Sequence, residues 1–281
     1  MCLVMGEHRN VEDIRETYDA FAAGDLTKAL RNLAPAGVFH FGGTGALSGD
    51  RMGLTHIKEA LVGAYALSGG TRRFEINHVY ADDRHGVVLL REQASRPDGL
   101  SIDLHEAHVI EYDDQGRISD LWDIPDDPEA HDRFFDKEMG PRPEGAPVVE
   151  HPNVETIRQT YNALVAGDLP SALKALAPEG TLHFGGTGPL HGDHRGVDRV
   201  GAVLSRAATL TAGTQKLDVT AIYADDNHGV VVVRERASRP DGATLDVDEV
   251  HMLSFSGDGL ITDIWDLPSD REAHDRFFDG Q

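Results

Sequence analysis

The chain has 281 residues, 40% of them hydrophobic, and a formal net charge of -22 at pH 7. Such an acidic chain repels a phosphate backbone, and no stripe of lysine and arginine is interleaved with aromatic residues, which argues against a nucleic-acid partner. No stretch approaches the roughly 18 apolar residues of a membrane span and no secretion signal is visible, so we expect a cytoplasmic protein without a membrane partner. The single cysteine, Cys2, cannot form an internal disulfide.

One segment of the sequence occurs twice. Residues 7–138 return without gaps as residues 150–281, at a constant offset of 143. This period is far above the roughly 20–50 residues of solenoid repeats, so each copy is predicted to be a domain. Residues 139–149, which are rich in proline and glycine, are predicted to form a semi-extended linker between the two domains.

The first copy begins with a helical pattern. Apolar residues recur at helical spacing from Asn10, a capping residue, until Gly24 ends the helix. A second short helix is predicted over residues 26–33. A β-type run at 38–41 then leads into a glycine-rich turn at 42–45, whose glycines suit positive φ angles. The turn is not a phosphate-binding loop, because no Lys-Ser/Thr pair follows it.

The remainder of each copy reads as one more helix, at 54–66 in the first copy, and a meander of strands. The predicted strands of the first copy cover residues 73–80, 87–95, 101–112 and 118–124. Turn-type sequences connect them, so the sheet is expected to be antiparallel. Helices followed by strands indicate an α+β domain, with three helices packed on one face of a curved antiparallel sheet.

This order of elements, with Gly24-Asp25-Leu26 after the first helix and Gly-Arg-Ile-Ser-Asp-Leu-Trp-Asp at 116–123, resembles the SnoaL-like branch of the NTF2-like superfamily. The resemblance covers both copies nearly end to end. It implies cone-shaped domains with a pocket between the helices and the concave face of the sheet. The convex face commonly pairs with a second subunit in such proteins, which implies an intrachain pseudo-dimer and a chain that can be monomeric. The superfamily includes ketosteroid isomerase-like enzymes, polyketide cyclases, epoxide hydrolases, dehydratases and binding proteins.

The strongest site signal lies on the predicted strand 101–112. Alternation places Glu106 and His108 on its more apolar face, and Glu249 and His251 repeat them in the second copy. Two such groups are expensive to bury unless they pair with each other or with a ligand. The pair is interpreted either as an acid–base couple, in which the carboxylate orients the imidazole, or as a satisfied polar pair that fixes strand register.

Comparison with the ketosteroid isomerase pattern implies further roles. His40 takes the position of the general base, His108 that of the second acid, and Thr17 or Tyr18 that of the oxyanion tyrosine. The second-copy counterparts are His183, His251 and Thr160 or Tyr161. Both isomerase aspartates are thus replaced by histidine, which speaks against steroid isomerisation while leaving acid–base chemistry open. Alternation alone does not decide whether His40 or its phenylalanine neighbours face the pocket.

Trp122 ends the last strand, where it either completes the core or stacks on a ligand. Asp123 points to the opposite side of the strand. An aspartate of this region is the acid–base group of SnoaL-like cyclases, so Asp123 and Asp120 are further candidates beside the interpretation as solvated carboxylates. The residues predicted to contact a substrate are Tyr18, Phe41, Trp122, Asp123, Tyr161, Phe184, Trp265 and Asp266.

Other polar residues are predicted to lie outside the site. His85 and Arg96 fall in hairpin turns and are expected to be exposed. Arg91 and Glu92 are expected to form cross-strand ion pairs. His131 belongs to a terminal segment whose phenylalanines pack back onto the domain.

The sequence favours an acid–base enzyme without cofactor or metal, acting on an apolar, oxygen-bearing small molecule by cyclisation, isomerisation, dehydration or epoxide opening. The predicted catalytic residues are His40, Glu106, His108, His183, Glu249 and His251. A second hypothesis is a protein that binds or sequesters a small molecule without turnover. A third is a metal site, because two histidines and a carboxylate can hold Fe(II) or Zn(II). Differences between the copies, such as His105 and Asp248, predict that the two sites differ in preference or that one is structural.

Overall fold

The computed structural model describes residues 8–42, 47–143, 145–185 and 188–279. The chain divides into two compact units, Met1–Glu150 and His151–Gln281. Cys2 and residues 43–45 of the predicted glycine-rich turn lie outside the described residues. The assignment of 139–149 as a linker, and the pseudo-dimer, remain predictions.

Helices and strands follow the same order in both units. The first unit contains α1 (Arg9–Ala22), α2 (Leu26–Ala29), β1 (Leu33–Phe41), β2 (Gly49–Met52), α3 (Gly53–Leu67), β3 (Arg73–Ala81), β4 (His85–Ser95), β5 (Ser101–Tyr112), β6 (Ile118–Pro125) and α4 (Pro128–Phe135). The second contains α5 (Pro152–Val165), α6 (Leu169–Ala172), a 3₁₀ turn (Leu173–Ala175), β7 (Leu176–Phe184), β8 (Gly192–Arg195), α7 (Val197–Leu210), β9 (Lys216–Ala224), β10 (His228–Ser238), β11 (Thr244–Phe255), β12 (Ile261–Pro268) and α8 (Arg271–Asp279).

Helix α1 begins two residues earlier than its sequence pattern indicates. His8 is the capping residue, and its Nδ1 accepts a hydrogen bond from the Asn10 backbone N–H at 3.2 Å. The helix buries the face that carries Ile14 and Tyr18, and Gly24, with φ of 74°, lets the chain turn away after it. The capping position assigned to Asn10 from the sequence was therefore wrong, while the predicted apolar face is confirmed.

Each unit has one six-stranded sheet within the described residues, with strand order β2-β1-β6-β5-β4-β3 in the first. The predicted meander β3 to β6 is antiparallel, but β1 pairs in parallel with β6. Strand β1 starts at Leu33, earlier than predicted, and a register shift lies between Leu33 and Val38. Gly37 permits this irregular stretch, because a Cβ there would lie 2.6 Å from Leu33 Cδ1. The α+β class is confirmed.

Helices α1 and α3 pack on one face of the first sheet. Their Ile14 and Ile57 join Val88, Leu90 and Ile110 of the sheet in one buried cluster. The same arrangement recurs in the second unit, where Ile157 packs with Val200, Val231 and Leu253. The helices therefore leave the inner face of each sheet covered by apolar side chains, and any polar group on that face is removed from bulk water.

Helix α4, which the sequence analysis treated only as a packing segment, closes the end of the first unit. Phe134 is fully buried. Arg96 is also buried, and its Nη1 donates to the carbonyl of Phe134 at 3.1 Å. The prediction that Arg96 and His85 are exposed was wrong: Arg96 binds the end of α4, and His85 is half-buried. Turn residues that bind a neighbouring element are withdrawn from solvent whatever their position in the hairpin.

Candidate functional site

A cavity lies between the helices and the inner face of the sheet in each unit. Its volume is about 490 Å³ in the first unit and about 420 Å³ in the second. The lining is largely apolar, and in the first unit Phe21, Leu61 and Phe74 contribute to it, while His108 and Asp123 add polar groups. Two open cavities of similar size count against the hypothesis that one copy has become purely structural.

A chain of three polar side chains starts at the wall of the first cavity. The Tyr18 hydroxyl of α1 is hydrogen-bonded to His108 Nδ1 of β5, and His108 Nε2 lies 3.2 Å from Glu106 Oε2. Tyr18 and His108 line the cavity, whereas Glu106 is fully buried behind them. The predicted inward direction of Glu106 and His108 is thus what the structure shows, and Tyr18, one of the two residues offered for the oxyanion position, is the one in contact.

All three groups of this chain are held in their neutral forms. Burial, and then the neighbouring carboxylate of Glu92, raises the pKa of Glu106 well above its usual range. Burial lowers the pKa of His108 to about 4. Burial and the proximity of Glu106 raise the pKa of Tyr18. These directions favour an uncharged imidazole between an uncharged phenol and a protonated carboxyl group in the first unit.

Asp123 is the second polar group of the cavity. It is the register partner of His108 across the β5–β6 pair, so the two side chains project from the same face of the sheet. Its Oδ1 accepts a hydrogen bond from the Gly42 backbone N–H at 2.7 Å, and its Oδ2 lies 3.6 Å from Nε2 of His131. Asp123 is buried, so the interpretation as a solvated strand-end carboxylate was wrong.

Three residues beyond those predicted complete the inner end of the first site. Glu92 is fully buried, and Arg72 binds it through Nε and, at 3.3 Å, through Nη2. His131 of α4 is buried beside Asp123. Burial alone would raise the pKa of Glu92, but the Arg72 guanidinium outweighs it and lowers that pKa to about 2. Arg91 forms the expected cross-strand ion pair, with Asp103 of β5 at 2.6 Å, whereas Glu92 pairs with Arg72 and is buried.

The second unit keeps the geometry and changes one charge. Tyr161 Oη lies 2.5 Å from His251 Nδ1, and His251 Nε2 lies 3.2 Å from Glu249 Oε1. Gln215 occupies the position of Arg72, and its amide donates to Glu235 Oε1 at 2.6 Å. An amide bears no charge, so the two buried carboxylates of this unit lack the guanidinium that neutralises Glu92 in the first.

The charges of the second site differ accordingly. Burial and the neighbouring Glu249 raise the pKa of Glu235 to about 8. Burial by itself would lower the pKa of His251, but Glu249 raises it above its ordinary value. Burial likewise opposes protonation of His274, yet the carboxylate of Asp275, 3.7 Å from its Nδ1, and the charge of Asp266 raise its pKa to about 9. The shifts in pKa thus favour a neutral imidazole at His108 in the first site and charged imidazoles at His251 and His274 in the second.

The predicted catalytic role of His40 and His183 is not supported by their placement. His40 borders the first cavity, but its ring stacks on Trp122 at a centroid distance of 4.4 Å, and its nitrogens bind Asp50 and Asp120 at 2.8 and 3.1 Å. Leu121 and Asp123 line the cavity, so Trp122 between them faces the other side of the sheet. His40 consequently sits on the face opposite to His108.

The second unit repeats this arrangement. His183 stacks on Trp265 at 4.6 Å, and neither is among the described residues that line the second cavity. Alternation likewise turns Trp122 and Trp265 away from the cavities, and their contact with a substrate remains a prediction that the cavity lining does not support. The predicted ligand contacts that do line a cavity are Tyr18, Phe41 and Asp123 in the first unit and Tyr161, Phe184 and Asp266 in the second.

Signals for two of the missed residues were present in the sequence. Glu92 alternates with Val88, Leu90 and Ala94 on the buried face of β4, as Glu106 does on β5. His131 lies three and four residues before the buried Phe134 and Phe135, a helical spacing that places it on their face. Arg72 gave no periodic signal, because it precedes β3; only the change from arginine to glutamine between the copies marks the position.

One group of three side chains in each unit has the donor atoms of a metal site. Glu92, Glu106 and His131 offer ligand atoms that all lie within 4.8 Å of one another, and so do Glu235, Glu249 and His274. These carboxylate and imidazole donors suit divalent transition metals. All six residues are buried.

Helices on one face of a six-stranded sheet, with a cavity between them, define an α+β pocket domain that occurs twice here. The SnoaL-like domain family matches residues 14–121 and 157–264, and the chain belongs to this family. One relative is the uncharacterised protein Rv0034 of Mycobacterium tuberculosis, 31% identical over 127 residues, which cover 45% of this chain and 95% of the relative.

Solved structures resemble one unit of the chain. Bal32a from a soil-derived mobile gene cassette has a TM-score of 0.43 at 28% identity, covering 45% of this chain and 95% of its own. TerC, co-crystallised with polyporic acid, has a TM-score of 0.42 at 21% identity, covering 46% of this chain and 98% of its own. Among the described helices of the present chain, none has the length and apolar character needed to cross a membrane.

Proposed function

We propose that the first unit is an acid–base catalyst that moves a proton within an apolar small molecule bearing a carbonyl group or a similar oxygen. The observation that carries this proposal is the Glu106–His108–Tyr18 chain, which ends on a largely apolar cavity where Asp123 also lies. A ligand carbonyl oxygen in this cavity has Tyr18 as its donor, and an adjacent C–H group has Asp123 as its base.

The protonation states give the chain a direction. A protonated Glu106 donates a hydrogen bond to His108 Nε2, so the neutral imidazole carries its own proton on Nδ1. That N–H donates a hydrogen bond to the Tyr18 oxygen. The Tyr18 O–H is then free to donate into the cavity. Hydrogen bonds that run in one direction polarise each other, which strengthens the last donor where negative charge develops on the ligand oxygen.

The proposed step conserves atoms and charge. The Asp123 carboxylate takes the proton from the carbon next to the carbonyl, the electron pair moves to the carbonyl oxygen, and Tyr18 donates a hydrogen bond to that oxygen. Return of the proton from Asp123 to another carbon completes an isomerisation. Attack of the enolate carbon on a second carbonyl, with the Asp123 proton passing to the new alkoxide, completes a ring closure. Glu106 and Gly42 act as positioning groups, the first for His108 and the second for Asp123.

Proton exchange with solvent tests the proposal without knowledge of the natural ligand. The full chain is incubated in D₂O with a bicyclic ketone such as β-tetralone, and deuterium entry beside the carbonyl is followed by NMR. In an Asp266→Asn background, which removes the equivalent carboxylate of the second unit, we expect Asp123→Asn to slow exchange on the order of 100-fold or more and Tyr18→Phe on the order of 10- to 100-fold. His105→Gln, whose exposed side chain lies on the outer face of β5, is the matched control and keeps the wild-type rate.

The alternative function is binding without turnover, which the two open cavities of similar volume also suit. A ketone recovered without deuterium, together with a raised melting temperature of the complex, would favour this alternative and contradict catalysis. Wild-type exchange rates in Asp123→Asn would contradict the assignment of the base. The second cavity holds the same tyrosine, histidine and aspartate, and we propose that it binds the same class of ligand.

A further inference from the structure

The change from Arg72 to Gln215 alters what the two buried acidic groups can hold. In the first unit, the Arg72 guanidinium binds the Glu92 carboxylate with two N–H groups. In the second unit, the Gln215 amide satisfies only one oxygen of Glu235 and leaves both carboxylates without that positive charge. A buried carboxylate is costly without a cation beside it, and Glu235 lacks the guanidinium that Glu92 has, so a bound cation near Glu235 is accommodated better in the second unit than in the first.

The second unit also exposes this group to its cavity. Glu235, Glu249 and His274 all line that cavity, together with Gln215. In the first unit, Arg72 lines the main cavity, whereas Glu92, Glu106 and His131 are not among its described lining residues. Arg72 thus lies between the acidic pair and the cavity, and its shorter, neutral replacement opens the path from the second cavity to the carboxylates.

One carboxylate oxygen of the second group is available as a ligand. Glu249 is 1% exposed, and its Oε2 has no hydrogen-bond partner among the residues that the structure describes. The ligand atoms of Glu235, Glu249 and His274 lie within 4.8 Å of one another. Ligand atoms that each lie about 2.0–2.2 Å from one ion are at most about 4.4 Å apart, so these side chains need only small movements to converge on an ion.

We infer that the second unit binds one divalent transition-metal ion through Glu235, Glu249 and His274, and that Arg72 prevents the equivalent site of the first unit from doing so. Binding of the ion displaces the protons held by Glu235 and His274; the two carboxylates then balance the charge of a divalent ion, and one imidazole with two carboxylates is a donor set that Zn²⁺ and Mn²⁺ accept. Three protein ligands leave coordination positions directed at the cavity, where an oxygen of a bound small molecule can enter. Asp266, whose Oδ2 lies 3.6 Å from Nε2 of His274, orients the imidazole.

The test counts metal ions on the full chain. Chelator-treated protein is titrated with ZnCl₂ and, separately, MnCl₂ by calorimetry, and the bound metal is quantified by elemental analysis after desalting. We expect one ion per chain for at least one of the two metals. Glu249→Gln and Gln215→Arg are expected to weaken binding by at least 100-fold, and Arg72→Gln to raise the count to two ions per chain.

The Gln215→Arg variant is the decisive one, because it gives the second unit the residue that the first already accommodates. Circular dichroism and thermal unfolding show whether it is folded. Wild-type protein that binds neither metal overturns the inference, as does an ion that stays bound with unchanged affinity in Gln215→Arg. An unchanged count in folded Arg72→Gln overturns the role given to Arg72. These outcomes are independent of the deuterium-exchange assay, which tests Asp123 and Tyr18 of the first unit.

Discussion

Substitution of Arg72 by glutamine tests the electrostatic interpretation of the first site. Glu92 is fully buried, and Arg72 lowers its pKa from an ordinary 4.5 to about 2. That difference corresponds to about 3 kcal/mol of stability at neutral pH, similar to the roughly 3–5 kcal/mol lost when one partner of a buried ion pair is removed. We therefore expect Arg72→Gln to lower the free energy of unfolding of the first unit by at least about 3 kcal/mol at pH 7.

The loss should depend on pH in a defined direction. In the wild type, the contribution of Glu92 is complete above its unfolded pKa of 4.5 and is lost only as the pH falls towards about 2. In the variant, Glu92 resembles Glu235, whose pKa is raised to about 8. A carboxyl group that keeps its proton in the folded state destabilises that state increasingly as the pH rises. The loss of unfolding free energy should therefore be about 3 kcal/mol larger at pH 8 than at pH 5.

The two tryptophans allow each unit to be followed separately. Trp122 belongs to the first unit and Trp265 to the second, so urea unfolding in a Trp265→Phe background reports the first unit by fluorescence. A chelator keeps metal ions out of the variant site. Arg73→Gln, which removes the same charge from an exposed neighbour, should change stability by no more than about 0.5 kcal/mol. A loss below about 1 kcal/mol at pH 7, or an equal loss at pH 5 and pH 8, would refute the reasoning.

Three further predictions use the same fluorescence assay. Burial lowers the pKa of His108 from 6.5 to about 4, so the unfolded chain takes up this proton first, and the free energy of unfolding falls by up to about 3 kcal/mol as the pH drops between these values. His108→Gln should lose this part of the dependence of stability on pH, and an unchanged dependence would contradict the prediction. Phe134→Ala removes a fully buried ring from α4 and should cost about 3–5 kcal/mol; a cost below about 1 kcal/mol would mean that α4 does not close the core. Gly37→Ala brings a Cβ to 2.6 Å from Leu33 Cδ1 and 3.0 Å from the Ile118 carbonyl oxygen, so it should lower the free energy of unfolding by about 1–3 kcal/mol. Gly140→Ala, whose Cβ would have no atom within 4 Å, should leave the stability unchanged.

Alternation within a strand was the most reliable source of site information in the sequence. It predicted the inward direction of Glu106 and His108, because β5 is regular over its whole length and its two faces differ clearly in polarity. It made no prediction for His40, because that strand is short in the sequence pattern and either of its faces could have been the core side; the role given to His40 came from the resemblance alone. The stacking of His40 on Trp122 depends on the parallel pairing of β1 with β6, a contact between distant segments that no turn sequence announces.

The helices and the meander were predictable because their signals are local, namely helical spacing, glycine stops and turn sequences. The inner end of the site could not be predicted in this way, because it is assembled from residues far apart in the chain. Glu92 of β4, Glu106 of β5 and His131 of α4 meet only after the sheet has formed and α4 has packed against it. Arg72 joins them from the segment before β3, so its charge acts on groups that no local pattern connects with it.

The duplication explains why one residue can change the chemistry of a whole site. Both units retain the tyrosine–histidine–glutamate chain, the cross-strand aspartate and the inner glutamate and histidine, so their geometry is set by the same fold. Protonation is set instead by the balance of buried charges, to which Arg72 adds one positive charge and Gln215 none. Within such a site a single charge decides which group holds the proton and whether a cation is required. The two units of one chain are therefore expected to be similar in the shape of the ligand they accept and different in what they can do to it.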